Sequence, residues 1–151
     1  MLRKLIAIGL MSISAMAFAD KDVVGEVSTS WKMLGPNNKI VVTVFDDPEV
    51  KGVSCYLSSA KTGGISGAVG LASDTSDASV ACRQTGEISF NDNLETGKEV
   101  FSAKRSLLFK ELHVVRFIDR ERKVLVYLTY SDYLIDGSPK NSITAVSYGL
   151  K

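Results

Sequence analysis

Only one of the 151 residues is histidine, two are cysteine and three are proline. Each scarcity removes a class of chemistry. A catalytic zinc site usually draws on two or three imidazoles, and a Ser-His-Asp triad must set one beside a serine. His113 stands alone, so a zinc site would lack its further histidine ligands. It also sits among Leu112, Val114 and Val115, which suits a strand histidine at the edge of the core or on a sheet face. The cysteines, Cys55 and Cys82, lack the tight Cys-x-x-Cys spacing of a catalytic dithiol. An excess of one charge is missing as well, with 18 Lys+Arg against 17 Asp+Glu. Nucleic acids and anionic membranes are recognised through clustered positive charge, so neither a nucleic-acid partner nor general binding to an acidic membrane is expected. The densest basic stretch, Arg116 to Lys123, is interleaved with Asp119 and Glu121 and reads as a solvated turn.

A long hydrophobic run is absent too, and the short one present has a different use. Arg3 and Lys4 form a positive start, and Leu5 to Ala17 carries no charge. That apolar run of roughly 13 residues matches the core of a secretory signal peptide. Crossing a bilayer takes about 20 residues. Ala17-Phe18-Ala19 has the small-x-small pattern of a cleavage site, and Asp20-Lys21-Asp22 ends the run. The sequence therefore predicts a signal peptide over 1–19, cut after Ala19, and a single domain over 20–151. No cysteine near the cut can carry a lipid, and no Arg-Arg pair marks the folded-export route, so the general secretory route to the periplasm is expected. No stable membrane insertion should follow cleavage. Losing Arg3 and Lys4 lowers the 18 cations to 16 against 17 acids, a net charge of −1. In an oxidising compartment Cys55 and Cys82 should pair in a structural disulfide.

Helical periodicity is the remaining absence: no stretch sustains it for three turns. The period is two. Val23, Gly25, Val27, Thr29, Trp31 and Met33 alternate with Val24, Glu26, Ser28, Ser30 and Lys32, and Lys39 to Phe45, with its β-branched run Ile40 to Val44, is fit for a central strand. Turn chemistry follows at Gly35-Pro36-Asn37-Asn38, and Asp46-Asp47-Pro48 stops the second strand, with room for one helical turn before Gly52. Further strands are expected at Val53–Ser58, Ala78–Arg83, Glu87–Phe90, Glu99–Lys104, Leu107–Ile118, Lys123–Tyr130 and Ile143–Tyr148. The fold class is mainly β: an antiparallel sandwich or open barrel of about eight strands with one disulfide. The Gly-rich region 59–78 leaves space for one short helix.

The motifs in that region are weak. Ser58-Ser59-Ala60-Lys61 fits S-x-x-K and Lys61-Thr62-Gly63 fits K-T-G. In penicillin-binding enzymes those motifs lie on separate elements, whereas here they share one lysine. A phosphate loop needs its lysine after the glycines; here Lys61 precedes Gly63, Gly64, Gly67 and Gly70. Asp74 with Asp77, and Asp46, Asp47 and Glu49, match no calcium loop and suit turns and caps. Trp31, Tyr127, Tyr130 and Tyr133 suit a core or sheet face. No catalytic residues, metal ligands or cofactor emerge, so a non-enzymatic role is expected. Small residues on a rigid sheet still leave backbone N–H groups free to meet a ligand. The candidate binding set is Lys61, Thr62, Gly63, Gly64, Asp74, Thr75 and Asp77, facing an envelope protein or a small molecule. The alternatives are a small periplasmic hydrolase with a Ser/Lys or Ser/His pair, and an envelope protein without a ligand. Nothing in the sequence sets the oligomeric state.

Several stretches in order carry a family resemblance. They are Lys32-Met33-Leu34-Gly35-Pro36, Lys39-Ile40-Val41-Val42, Phe45-Asp46-Asp47-Pro48, Ala60-Lys61-Thr62-Gly63-Gly64, Ser73-Asp74-Thr75-Ser76-Asp77-Ala78, Val114-Val115-Arg116-Phe117 and Asp136-Gly137-Ser138-Pro139-Lys140-Asn141. The chain resembles the CreA family of small proteins of Gram-negative bacteria, from Val24 to about Val146. The resemblance implies an exported protein with no established reaction. It supplies no catalytic residues to carry over.

Overall fold

The computed structural model describes residues 22–31, 33–35, 37–61, 63, 78–104, 111–132 and 140–149. The segment 1–19, expected to be a signal peptide, and most of the Gly-rich region, including the space left for a helix, lie outside them. Eight strands form two four-stranded antiparallel sheets, and no helix occurs among the described residues. The first sheet holds β1 (Val23–Ser30), β2 (Asn38–Asp46), β3 (Lys51–Lys61) and β4 (Ala78–Ser89), in that order. The second holds β5 (Lys98–Lys104), β6 (Glu111–Asp119), β7 (Val124–Ser131) and β8 (Asn141–Ser147), again in order. The short strand expected at Glu87–Phe90 is the far end of β4.

Alternation decides which face is inside. Val53, Cys55 and Leu57 of β3 and Val80 and Cys82 of β4 face Leu112 and Val114 of β6, Leu125 and Tyr127 of β7 and Val146 of β8. A strand's side chains change face at every residue, so these sets, spaced by two, form a single layer between the sheets. Val50 and Leu94 close the layer from two connections, and Phe45 stacks on Phe101 between the sheets with ring centroids 4.3 Å apart.

The sheets also meet along one edge. Val80 N–H of β4 donates to Ser142 Oγ of β8 at 3.2 Å, and Cys82 N–H donates to Thr144 Oγ1 at 3.3 Å. Hydroxyls on one edge strand thus satisfy the free N–H groups of the other, and neither strand is left as an open edge on that side. The result is a sandwich sealed along a seam.

Two local features fix β3. Cys55 and Cys82 are register partners across β3 and β4 and are joined as a disulfide. Gly52 has φ +77° at a register shift, and a Cβ there would meet the Glu87 carbonyl carbon at 2.7 Å. No L side chain fits that approach. The helical turn expected before Gly52 is instead a bend over 48–50. Asp47 Oδ1 accepts the N–H groups of Glu49 and Val50, which ties the chain into a turn without starting a helix.

Both cysteines are fully buried, so reduction should require opening of the fold. Replacing both by alanine is expected to lower stability by about 3–4 kcal/mol, the chain-entropy value for a loop of this size. Urea denaturation of the double variant beside the oxidised protein measures it.

Candidate functional site

Two clusters of polar groups stand out, one inside the sandwich and one at an end. The inner one centres on Arg116, which shares the inward face of β6 with Leu112 and Val114. Its side chain is fully buried. Nη1 donates to both oxygens of Asp47, at 2.6 and 2.8 Å, and Nη2 donates to Glu49 Oε2 at 2.7 Å. Tyr127 O–H donates to Asp47 Oδ2 at 2.8 Å. Glu49 also takes a hydrogen bond from Lys98 Nζ at 2.6 Å, out at the surface. Burial works against the Arg116 charge, but the carboxylates of Asp47 and Glu49 outweigh it and hold its pKa above the usual value. Burial and then the Asp47 charge push the Tyr127 phenol far up, so it remains a hydrogen donor. Hydrogen bonds from Lys98 and then Arg116 lower the Glu49 pKa. The charges of this cluster are matched by its own counter-charges, while Arg116 Nε is buried without a hydrogen-bond partner among the described residues. The cluster joins the turn after β2 to β6 and β7, and therefore one sheet to the other.

Sequence reasoning placed Arg116 in a solvated turn, and the structure corrects that. Parity carries the missed signal: Leu112, Val114 and Arg116 alternate, so an inward strand face runs straight into the arginine. Trp31 is corrected as well. It is not a core or sheet-face aromatic but lies 75% exposed just past the end of β1. Tyr127 is in the core, and Tyr133 lies outside the described residues.

His113 is on the opposite face of β6. Its Nδ1 lies 2.5 Å from Glu99 Oε2, its Nε2 lies 3.0 Å from Asp132 Oδ2, and its ring stacks on Tyr130. Burial opposes its charge, yet the hydrogen bonds to Asp132 and Glu99 prevail and raise its pKa. Both ring nitrogens face carboxylates, so a protonated ring satisfies the two at once. Ser102 of β5 is the register partner of His113, but the hydrogen bonds of the ring go to the two carboxylates. Ser58 and Lys61 do not meet either: they are three positions apart on β3, and alternation sends them to opposite faces. Among the described residues no group of His, Cys, Asp and Glu could hold a metal ion.

The second cluster lies at the base of the Gly-rich region. A groove of about 610 Å³ runs between the end of β3, the start of β4 and the start of β8. Its walls include Ile40 and Ala60 on the apolar side and Ser58, Ser79, Lys140 and Asn141 on the polar side. Ser58 Oγ and Ser79 Oγ are 3.0 Å apart on paired strands. Ser59 also lines the groove, and its buried hydroxyl has no hydrogen-bond partner. Of the residues singled out in the sequence, Lys61 ends β3 in the open, and Gly63 N–H donates to Asn38 Oδ1 at 2.8 Å. That bond fastens the beginning of the Gly-rich region to the beginning of β2. Thr62, Gly64, Asp74, Thr75 and Asp77 lie outside the described residues.

Comparison with known proteins settles the kinship. A family model described as CreA protein matches residues 24–149. The chain belongs to the CreA family. It is 50% identical over 146 residues to Protein CreA of Escherichia coli strain K12, covering 94% of this chain and 92% of that one. The Protein CreA chains of Escherichia coli O6:H1 strain CFT073 and of Escherichia coli O157:H7 match to the same extent. No solved structure matches. The two clusters therefore sit in a CreA domain whose geometry has to speak for itself.

Arg116→Met should destabilise this CreA domain by about 3–5 kcal/mol, because it strands a buried carboxylate. Lys98→Ala, which removes only an exposed partner, should cost far less than that. Equal losses in chemical denaturation would show that the buried pair is not special. The His113 cluster predicts a pH dependence. A raised folded pKa stabilises the fold fully below the unfolded imidazole value of about 6.5. That contribution disappears as pH rises through the folded value. Thermal melts of His113→Gln should therefore lose part of the decline seen from neutral to mildly alkaline pH.

Proposed function

We propose that the chain is an exported, non-enzymatic binding module, and that the groove at the base of the Gly-rich region is where it holds a small polar ligand. One observation carries this: the groove is lined by small and polar residues, with the Ser58 and Ser79 hydroxyls side by side at 3.0 Å. A ligand oxygen or nitrogen bonded to that hydroxyl pair would exchange water for directed polar contacts. The groove also mixes an apolar wall with a few polar groups, the composition of small-molecule sites in general. Both flanking strands are held rigid by the disulfide register and by the seam to β8, so the site needs little reorganisation to bind.

Export rests on separate grounds. The first 19 residues have the charge, length and cleavage pattern of a leader, and a buried disulfide is compatible with folding in an oxidising compartment. In this reading the ligand is met in the periplasm, free or carried by an envelope protein.

The experiment fills the groove. Ala60→Trp sets a large ring on the apolar wall without touching the buried core. Thermal-shift titration of a panel of small sugars, amino acids and organic acids should find stabilisation of the parent chain that the variant lacks, with the unliganded melting temperature unchanged. A ligand that stabilises both equally would place binding elsewhere. Amino-terminal sequencing of the cell-envelope fraction should read from Asp20; a chain that still begins at Met1 would overturn export with cleavage.

A further inference from the structure

The connection between β1 and β2 breaks a rule of turn chemistry. Hairpin connections are normally polar, because their backbone stays in water. Here Trp31, Met33 and Leu34 stand 75%, 79% and 69% exposed, past the end of β1. The apolar surface continues back along the hairpin, where Val27 and Ile40 are register partners and both exposed. Most of the exposed large hydrophobic residues of the described chain are therefore in one hairpin and its tip. A patch of that kind marks a contact surface.

Charge and placement say what it contacts. Lys39 of β2 and Lys61 of β3 are register partners one step behind the tip. Lys39 is paired with Glu26, while Lys61 is exposed and has no acidic partner among the described residues. An indole at the front with ammonium groups behind it is the order in which interfacial residues meet a bilayer: the ring and thioether enter the headgroup boundary and the cations stay at phosphate level. A second copy of the chain fits less well. Edge-to-edge pairing along β1 would leave the side chains beyond the strand end in water, and a two-fold axis near the tip would bring like charges together. No helix among the described residues is long and apolar enough to cross a membrane, so the contact is peripheral.

We propose that the β1–β2 hairpin tip docks the protein on an anionic phospholipid surface, with Trp31, Met33 and Leu34 entering the interface and Lys61 at its rim. The apolar tip supplies most of the attraction, and Lys61, without an acidic partner among the described residues, adds a preference for anionic lipid. The docked hairpin adjoins the binding groove through Ile40, which is common to both. Docking would hold the groove close to the membrane.

The sequence contains a single tryptophan, so fluorescence reports the tip alone. The protein purified from the cell envelope is mixed with vesicles of phosphatidylglycerol and phosphatidylcholine, or of phosphatidylcholine only. Co-sedimentation with the anionic vesicles, a blue shift of Trp31 emission and quenching by lipids brominated near the headgroup are expected. Met33→Ser with Leu34→Ser should weaken binding on the order of tenfold or more, with an unchanged melting temperature because both side chains are exposed. Any contribution of residues 1–19 is common to parent and variant. Lys61→Glu should reduce binding to anionic vesicles and leave the emission of the lipid-free protein as it was. Unshifted emission with no co-sedimentation overturns the proposal. So does a blue shift that grows with protein concentration in lipid-free buffer while the mass doubles, because that outcome assigns the tip to a second copy.

Discussion

The Asp47 carboxylate is the point on which the two sheets agree. It lies just past β2 in the first sheet, yet its partners include Arg116 of β6 and the Tyr127 hydroxyl of β7 in the second. Two backbone N–H groups of its own turn complete its shell. A charge buried this deeply is tolerable only when every lone pair is used and a counter-charge is in contact. The arrangement also tests register. A one-residue slip of β6 would turn Arg116 outward, leave Asp47 unpaired and expose Leu112 and Val114 together. The apolar layer alone would penalise that slip only by area, whereas the ion pair penalises it by stranding a charge. The Asp47–Arg116 pair therefore acts on uniqueness of the fold more than on its total stability.

From that point the molecule divides along its strands. β2 runs from Asn38 at the groove end to Asp46 beside the charge cluster. The cluster end is closed: Val50 and Leu94 plug it, and Glu49 brings Lys98 across its mouth. The other end is looser in chemistry. Short side chains at Ser58, Ser59, Ala60, Ala78 and Ser79 leave volume unfilled there, and hydroxyls replace the Val and Leu of the layer below. A sandwich with two sealed ends would have no room for a ligand. The rigidity of one end lets the opposite end have a fixed groove without collapse of the strands that line it.

The sequence made the strands legible because nearly all of them are buried on one side, and one-sided burial writes a period of two. It also made the disulfide legible, since two cysteines in a chain expected to be exported leave few alternatives. Tertiary partnership was not legible. Arg116 is far in sequence from Asp47, and nothing local in either segment names the other. Parity puts the arginine inside, but only the packed second sheet shows which carboxylate receives it. Trp31 failed for the opposite reason. It continues the alternation of β1, so its pattern is that of a strand residue, but β1 ends at Ser30 and the ring stands beyond it. The groove was legible only as an address: the Gly-rich region was singled out, while the hydroxyl-lined wall comes from strands that read as ordinary sheet.

The four sheet edges show how far the fold goes in managing its own exposure. β4 and β8 satisfy one another through Ser142 and Thr144. β5 carries Lys98 and Glu99, and its pairing with β6 shifts register between Glu99 and Phe101, a bulge that makes a poor template for another strand. On its outer edge β1 has no strand partner among the described residues, and it carries no lysine, only Glu26 held by Lys39. Its protection is geometric. The pairing with β2 shifts between Val23 and Gly25 and again between Ser28 and Ser30, so irregularities bracket the strand and interrupt a flat edge. A strand spoiled for edge pairing that still exposes Val24 and Val27 has been secured against other strands, but its apolar faces have not been made polar. Those are separate precautions, and a hairpin that takes the first without the second keeps an apolar surface available to something other than a β-strand.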